Sequence, residues 1–383
     1  MTRILACADF HLGMKFAGYP SVQQQLSEAR FSTLKRLVGT ANQQRCDLFL
    51  VAGDLFDRVS VSARDVKRAA ELLNAFQGRL VAVLPGNHDF YSGSPSTLWA
   101  RFREAAGDRI LLLEHPKIYD LNHYDLKIRL YAGPCDSKHS QENAVSWMKD
   151  LAEQGKNGTA ESGTLRIGVA HGSIEGISPD AQGVYFPMRR EELEGAPVNF
   201  WVVGHTHRQH PFENTEIAGA ANGNPPVLIP GTPEPDGFDC RHGGTAWTGI
   251  VSDEGRLRFE SLGTGTYRFV IDQQNVERVE DLRRLETRLK DTKSSVTLMR
   301  LKLSGRLESE QLAELRQVLA RIEKNLLYLR LDDGALVERI SEQNVEAEFT
   351  EGSFPYRLLK DLIAEEDFEA LQTAYSLLQE QKL

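Results

Sequence analysis

Apolar residues along this chain follow two rhythms. Up to about residue 262 they come in short unbroken runs, among them Ile4-Leu5-Ala6-Cys7-Ala8, Leu48-Phe49-Leu50-Val51-Ala52, Leu80-Val81-Ala82-Val83-Leu84, Ile167-Gly168-Val169-Ala170 and Phe200-Trp201-Val202-Val203. Runs without polar alternation suit strands buried on both faces. Between them Ala29, Leu34, Leu37 and Val38 recur at helical spacing, which predicts a helix over 24–43, and a second is expected over 62–77. The pattern predicts an α/β domain of layered sheets over residues 1–262.

Beyond that point the texture changes to strand 266–271, helix 276–290, strand 296–303, helix 308–324 and strand 326–331. Leu312, Leu315, Val318, Leu319 and Ile322 give the second of these helices an apolar face. A smaller α/β domain over 263–340 follows from this. Residues 341–383 read as a separate acidic segment, with two short helices around Glu365-Glu366-Asp367 and an apolar stripe of Leu358, Leu359, Leu362 and Ile363.

Composition narrows the class. The chain has 383 residues, 41% of them hydrophobic, enough for a large core. No run reaches the roughly 20 apolar residues that cross a bilayer, so no membrane span is expected. Leu5-Ala6-Cys7 looks like a lipoprotein signal, but no apolar segment precedes it, and it is read as a buried strand. Cys7, Cys46, Cys135 and Cys240 form no C-x-x-C pair, which points to a reducing cytoplasm. The net charge of -9 speaks against indiscriminate nucleic-acid binding. That charge is segregated, however: residues 278–330 hold 13 Lys and Arg against 8 Asp and Glu, and residues 331–383 hold 4 against 13. Arg283, Arg284, Arg288, Lys290 and Lys293 are therefore candidate phosphate contacts, and the acidic segment with its apolar stripe is a candidate docking surface for a partner protein.

Candidate chemistry sits at the ends of the apolar runs: Asp9-Phe10-His11, Gly53-Asp54-Leu55-Phe56-Asp57, Gly86-Asn87-His88-Asp89, Ala170-His171-Gly172 and Gly204-His205-Thr206-His207. In α/β sheets ligands bind beyond the carboxyl ends of strands, so five loops could converge on one spot. Carboxylate, imidazole and amide oxygen together suit manganese, iron or zinc. His115, His123, His139, His210 and His242 lack such a frame and are read as surface or structural.

The five motifs together resemble those of the calcineurin-like metallophosphoesterase superfamily: D-x-H, G-D-x-x-D, G-N-H-[DE], H and G-H-x-H, all intact over roughly residues 1–262. The resemblance implies an αββα core holding two divalent metal ions, with manganese expected and iron or zinc as alternatives. Asp9, His11 and His207 would hold one ion, Asn87, His171 and His205 the other, with Asp54 shared. His88 would be left free to steady the transition state or protonate the leaving oxygen. Asp57 resembles the residue that orients this histidine.

Within the superfamily, Asp9-Phe10-His11-Leu12-Gly13, Gly86-Asn87-His88-Asp89 and the turn Pro230-Gly231-Thr232-Pro233 resemble SbcD-type DNA repair exonucleases, and most of all a bacterial YhaO-like subgroup. Those nucleases carry a capping domain where residues 266–331 lie. The resemblance implies DNA as substrate, an SbcC-type coiled-coil ATPase as partner and a homodimer. No G-x-x-x-x-G-K-[ST] loop occurs, so any ATP dependence must come from another subunit. Two other readings stay open: a phosphodiesterase or phosphatase for a small molecule or phosphoprotein, which Arg58 after Asp57 partly echoes, and a non-catalytic scaffold subunit.

Overall fold

The structure is a computed structural model and describes all residues except 94–97, 150–162, 212–223, 241, 253–255, 291–293 and 381–383. Its strands are β1 (Thr2–Cys7), β2 (Leu48–Ala52), β3 (Leu80–Leu84), β4 (Ile110–Leu112), β5 (Ile118–Asp120), β6 (Ile128–Gly133), β7 (Leu165–His171), β8 (Phe200–Gly204), β9 (Val227–Leu228), β10 (Thr245–Val251), β11 (Leu257–Gly263), β12 (Arg268–Val276), β13 (Thr297–Leu307) and β14 (Tyr328–Glu338). The helices are α1 (Gln23–Gln43), α2 (Ala63–Asn74), α3 (Leu98–Ala105), α4 (Arg190–Glu194), α5 (Val279–Lys290), α6 (Ser309–Asn325), α7 (Glu342–Glu348), α8 (Phe354–Ala364) and α9 (Phe368–Glu380).

The unbroken apolar runs are explained by burial on two sides. One sheet has the order β11-β10-β1-β2-β3-β4, the other β5-β6-β7-β8-β9. Because side chains alternate across a strand, Phe49 and Val51 of β2 face Leu34 of α1, Val66 of α2 and Phe102 of α3. Leu48, Leu50 and Ala52 face the other way, into a core shared with Leu130, Val169 and Val202 of the second sheet. The outer face of that sheet, with Tyr131, Trp201 and Val203, packs on Val145, Met148 and Leu193 of α4. This is the layered α/β core that the sequence predicts.

Chain contacts divide the molecule into two compact units, Met1–Phe269 and Val270–Leu383. The first extends seven residues past the expected boundary, and side-chain hydrogen bonds account for it. Thr266 and Tyr267 donate their N–H groups to buried Glu234, and Phe269 packs its ring against Tyr19 and Phe238.

In the second unit β12-β13-β14 form a sheet with β13 and β14 parallel. Helices α5 and α6 cover it through Leu282, Leu285, Leu315, Val318 and Ile322. Strand β14 is longer than the predicted 326–331. Asp332-Asp333-Gly334 reads as a stop, yet the register merely shifts, with Lys302 opposite Asp332 and Ser304 opposite Ala335, and pairing resumes.

The acidic segment belongs to this same unit, and it contains α7, which periodicity missed. Ser341 caps it by accepting the Asn344 N–H. The apolar stripe is largely spent internally: Leu359 is buried with Ile340, Val345, Phe349 and Leu371, and Leu362 and Ile363 pack on the same cluster. Among the described residues no helix is long and apolar enough to cross a membrane. All four cysteines are free and buried.

Candidate metal centre

The registers bring the strand ends together. Cys7 pairs with Val51, Ala52 with Leu84, and His171 with Gly204, so the loops after β1, β2 and β3 leave side by side, as do the ends of β7 and β8. The chain turns as it leaves these strands, with left-handed backbone at Asp9 (φ 56°), His11 (φ 45°), Asp54 (φ 51°) and His205 (φ 100°). Such conformations cost of order 1–3 kcal/mol each in non-glycine residues and persist where the surroundings over-determine them. Main-chain bonds hold them here: the Asp9 N–H donates to Gly53 O (3.1 Å) and the His11 N–H to Asp54 O (3.0 Å). Two glycines leave the room required, since a Cβ on Gly53 would sit 2.0 Å from His171 Nδ1 and one on Gly86 2.2 Å from Asp54 Oδ1.

The seven predicted ligands converge. His11 Nε2 and His207 Nε2 face each other at 3.1 Å, and Asp9, His11 and His207 offer donor atoms within 4.8 Å of one another. On the other side Asn87 Oδ1 lies 3.0 Å from His171 Nε2 and 3.2 Å from His205 Nδ1. A single atom, Asp54 Oδ2, joins the halves at 3.6 Å from His11 Nε2 and 3.3 Å from His171 Nε2. Asp9, His11, Asp54, Asn87 and His171 are at most 1% exposed. Close-set imidazole nitrogens and carboxylates so deeply buried fit divalent cations, which would balance the charge and use the lone pairs. Asp9, Asp54 and His171 form a second trio within the same distance, and a third, His11, Asp57 and His88, is less suited, because the Asp57 carboxylate already accepts from Arg58 Nε at 2.9 Å.

Residues 2–209 match the calcineurin-like phosphoesterases. The chain belongs to that family. Members of the family are metal-dependent phosphoester hydrolases that work with a pair of metal ions. Among similar proteins, YhaO of Bacillus subtilis, an uncharacterized metallophosphoesterase, is 24% identical over 233 residues, 58% of this chain and 51% of that protein. The DNA double-strand break repair protein Mre11 of Aeropyrum pernix is 37% identical over 100 residues, 26% of this chain and 24% of that protein. The chain thus matches about half the length of the first and about a quarter of the second. A solved structure, the calcineurin-like phosphoesterase YfkN of Bacillus subtilis, is similar at a TM-score of 0.41 and 15% identity, over 69% of this chain and 90% of that one.

The groups of the centre are electrostatically opposed to one another. Burial drives Asp9 up, and although His207 and His171 pull it down, its carboxyl rests at about 6. Burial also opposes the charge on Asp54, yet His171, His11 and His88 hold that carboxyl well below the usual range. Burial lowers His171, but the charge and hydrogen bond of Asp54 outweigh it and lift the imidazole to about 9. His205, desolvated and next to His171, falls to about 3.

His88 is half-buried beside the ligands, 4.8 Å from the His11 ring centroid. Its Nδ1 lies 3.0 Å from the main-chain carbonyl of Asp57. Asp57, expected to orient this histidine, thus meets it through its main-chain carbonyl, while its carboxylate turns toward His11 Nδ1 (3.9 Å) and Arg58.

Other supporting groups went unread in the sequence. Asp89, inside the third motif, accepts the Phe56 and Gly86 N–H groups at 2.9 and 2.7 Å and braces the Asp54 and Asn87 loops. Asp236, in a segment without a recognised pattern, lies 2.7 Å from His207 Nδ1. His242, read as structural, sits with its Nε2 against the His207 carbonyl. A cavity of about 1050 Å³ opens beside His205 and His207, lined also by Ser178, Arg208, Asp236 and His242.

The candidate DNA contacts on α5 are exposed but not unopposed. Arg283 meets Glu280 and Glu314, Arg284 meets Asp281 at 3.9 Å, Arg288 meets Asp272 at 3.0 Å and Lys290 meets Glu286 at 3.3 Å. Lys293 lies outside the described residues.

Proposed function

We propose that this phosphoesterase is a two-metal phosphodiester hydrolase that degrades DNA from its ends, in repair, with manganese as its metal and the cytoplasm as its compartment. The observation that carries hydrolysis is the Asp54 carboxylate set between two donor groups, with His88 beside them and outside both. A metal pair at such a site supplies an activated water and neutralises phosphoryl charge. Asp9, His11 and His207 would hold one ion and Asn87, His171 and His205 the other. His88 would meet the scissile group, its ring set by the Asp57 carbonyl, and stabilise developing charge or protonate the leaving oxygen.

The DNA reading is supported by the local likeness to a DNA double-strand break repair protein and by the motif set that resembles SbcD-type exonucleases. An SbcC-type ATPase partner and a homodimer belong to the same reading. One observation favours the alternative of a small phosphodiester or phosphoprotein substrate: the α5 cations already have acidic partners, so that helix offers phosphate no unopposed charge.

The deciding experiment compares linear duplex DNA with a small bis-aryl phosphodiester. Chelated protein is expected to be inert on both, and manganese to restore activity more than magnesium because imidazole favours the softer ion. Progressive loss of duplex from its ends supports the exonuclease. Cleavage of the diester alone assigns the small-molecule reading, and inertness toward both with two metals bound assigns a scaffold.

A further inference from the structure

Two of the centre's imidazoles are braced differently. His171 Nδ1 sits against a main-chain carbonyl, Ala52 O at 3.0 Å. His207 Nδ1 sits against a carboxylate, Asp236 Oδ2 at 2.7 Å. Behind Asp236 lies Arg30 of α1, 0% exposed, with its NH2 3.9 Å from the same Oδ2 and its NH1 donating to Phe10 O at 2.6 Å. Phe10 is the middle residue of the Asp9-Phe10-His11 turn. One buried guanidinium therefore touches both arms of a single trio: the turn carrying Asp9 and His11, and the carboxylate behind His207. Its Nε and NH2 have no hydrogen-bond partner, so geometry leaves this group committed to charge.

We propose that Asp236 and Arg30 are positioning residues that build the Asp9, His11 and His207 position into the tighter of the two metal sites, an inference that rests on the two-metal reading above. A neutral imidazole ligates through one nitrogen only if the other carries the proton, and a carboxylate acceptor on Nδ1–H fixes that tautomer and the ring's direction while making Nε2 more basic. His207 Nε2 is the nitrogen that faces His11 Nε2. A neutral His207 leaves the charge of Asp236 to be met elsewhere, and a carboxylate with only 13% of its side chain exposed needs a partner. Arg30 is that partner, held by the Phe10 carbonyl and by the Phe16 ring 5.3 Å from its Cζ. The loop bearing Asp236 is itself pinned, with Phe238 packed between Tyr19 and Phe269.

The test is a manganese titration of the full chain followed by calorimetry and by the paramagnetic resonance spectrum, which separates an isolated ion from a spin-coupled pair. Wild-type protein should take up two equivalents and show coupling. Asp236→Ala should weaken one equivalent about 10- to 100-fold, the usual cost of losing a carboxylate behind a ligating histidine, and show the isolated-ion spectrum where the wild type shows coupling. Asp236→Asn, which keeps an acceptor oxygen without charge, and Arg30→Lys should fall between.

Two unweakened, coupled equivalents in Asp236→Ala would overturn the proposal. So would metal-free Asp236→Asn and Arg30→Lys that both fail to fold, since that makes the pair purely structural. Wild-type protein binding fewer than two ions would overturn the two-metal reading itself, a result distinguishable because it does not depend on the variants.

Discussion

In the first unit Asp9, Asp54, Asn87 and His171 are each at most 1% exposed and crowd into one spot, with Asp9 and Asp54 in left-handed backbone. In the second unit Arg283, Arg284, Arg288 and Lys290 have side chains 48–78% exposed, and each has found an acid on its own helix or a neighbouring element. Exposed pairs of that kind contribute little to stability and break readily in solvent. Buried groups that oppose one another are costly unless something binds them. The difference separates a site built for a cation from a helix surface whose cations are each met by an acid.

The comparison is broken most severely at Asp54. Replacing it with alanine should release metal and lower hydrolysis of a small diester to the level of the chelated protein, with bound manganese measured alongside. Retained metal and turnover would mean that Asp54 Oδ2 does not join the two halves. His88→Ala should have a smaller but still large effect, a drop of about 10²- to 10⁴-fold in turnover, typical for a positioned acid, with metal content near normal. Metal loss equal to that of Asp54→Ala would place His88 among the ligands.

The pH dependence of stability sharpens the contrast further. His171, and His207 with its Asp236 hydrogen bond outweighing burial, are lifted to about 9 in the folded protein. Stability from a raised group is fully present below its unfolded pKa, about 6.5 for histidine, and is lost as pH rises through the folded value. Burial and the charge of Asp54 lift Asp89 to about 8, which acts in the same direction. Metal-free protein should therefore melt at a lower temperature at pH 9 than at pH 7. Manganese competes with protons for the imidazoles, so the stabilisation it confers should grow over that interval. His205, depressed to about 3, contributes its share above pH 6.5 and loses it as pH falls toward 3, outside the window compared. Metal-free melting that rises from pH 7 to pH 9 would contradict this assignment.

The smallest effect is expected in the second unit. Reversing Arg283, Arg284 and Arg288 to glutamate should leave diester hydrolysis unchanged. It should lower the salt slope of duplex binding by less than the roughly 0.9 per residue that full phosphate contacts would cost, because these side chains begin paired. A loss near 0.9 for each would show that they leave their acids for phosphate.

Strand cores, the two long helices of the first unit and the convergence of five motifs were legible because each is written locally. An apolar run announces a buried strand, and a polar motif at its end announces where the sheet can present chemistry. Left-handed backbone at Asp9 and His11 was not legible, since side chains two apart on an extended strand already share a face and the motif alone asks for no turn.

What the sequence could not decide were contacts between residues far apart along the chain. Arg30 meets Asp236 only because α1 packs behind the loop that follows β9. The apolar stripe of α8 is buried only because residues 340–349 and Leu371 fold against it. Arg283 and Arg288 are answered by Glu314 and Asp272 from other elements. Periodicity and motif spacing report which face of an element is apolar and which residues stand at its end. They carry no record of what will be brought opposite, and it is the opposing groups that turn a charge into a ligand brace or neutralise it on the surface.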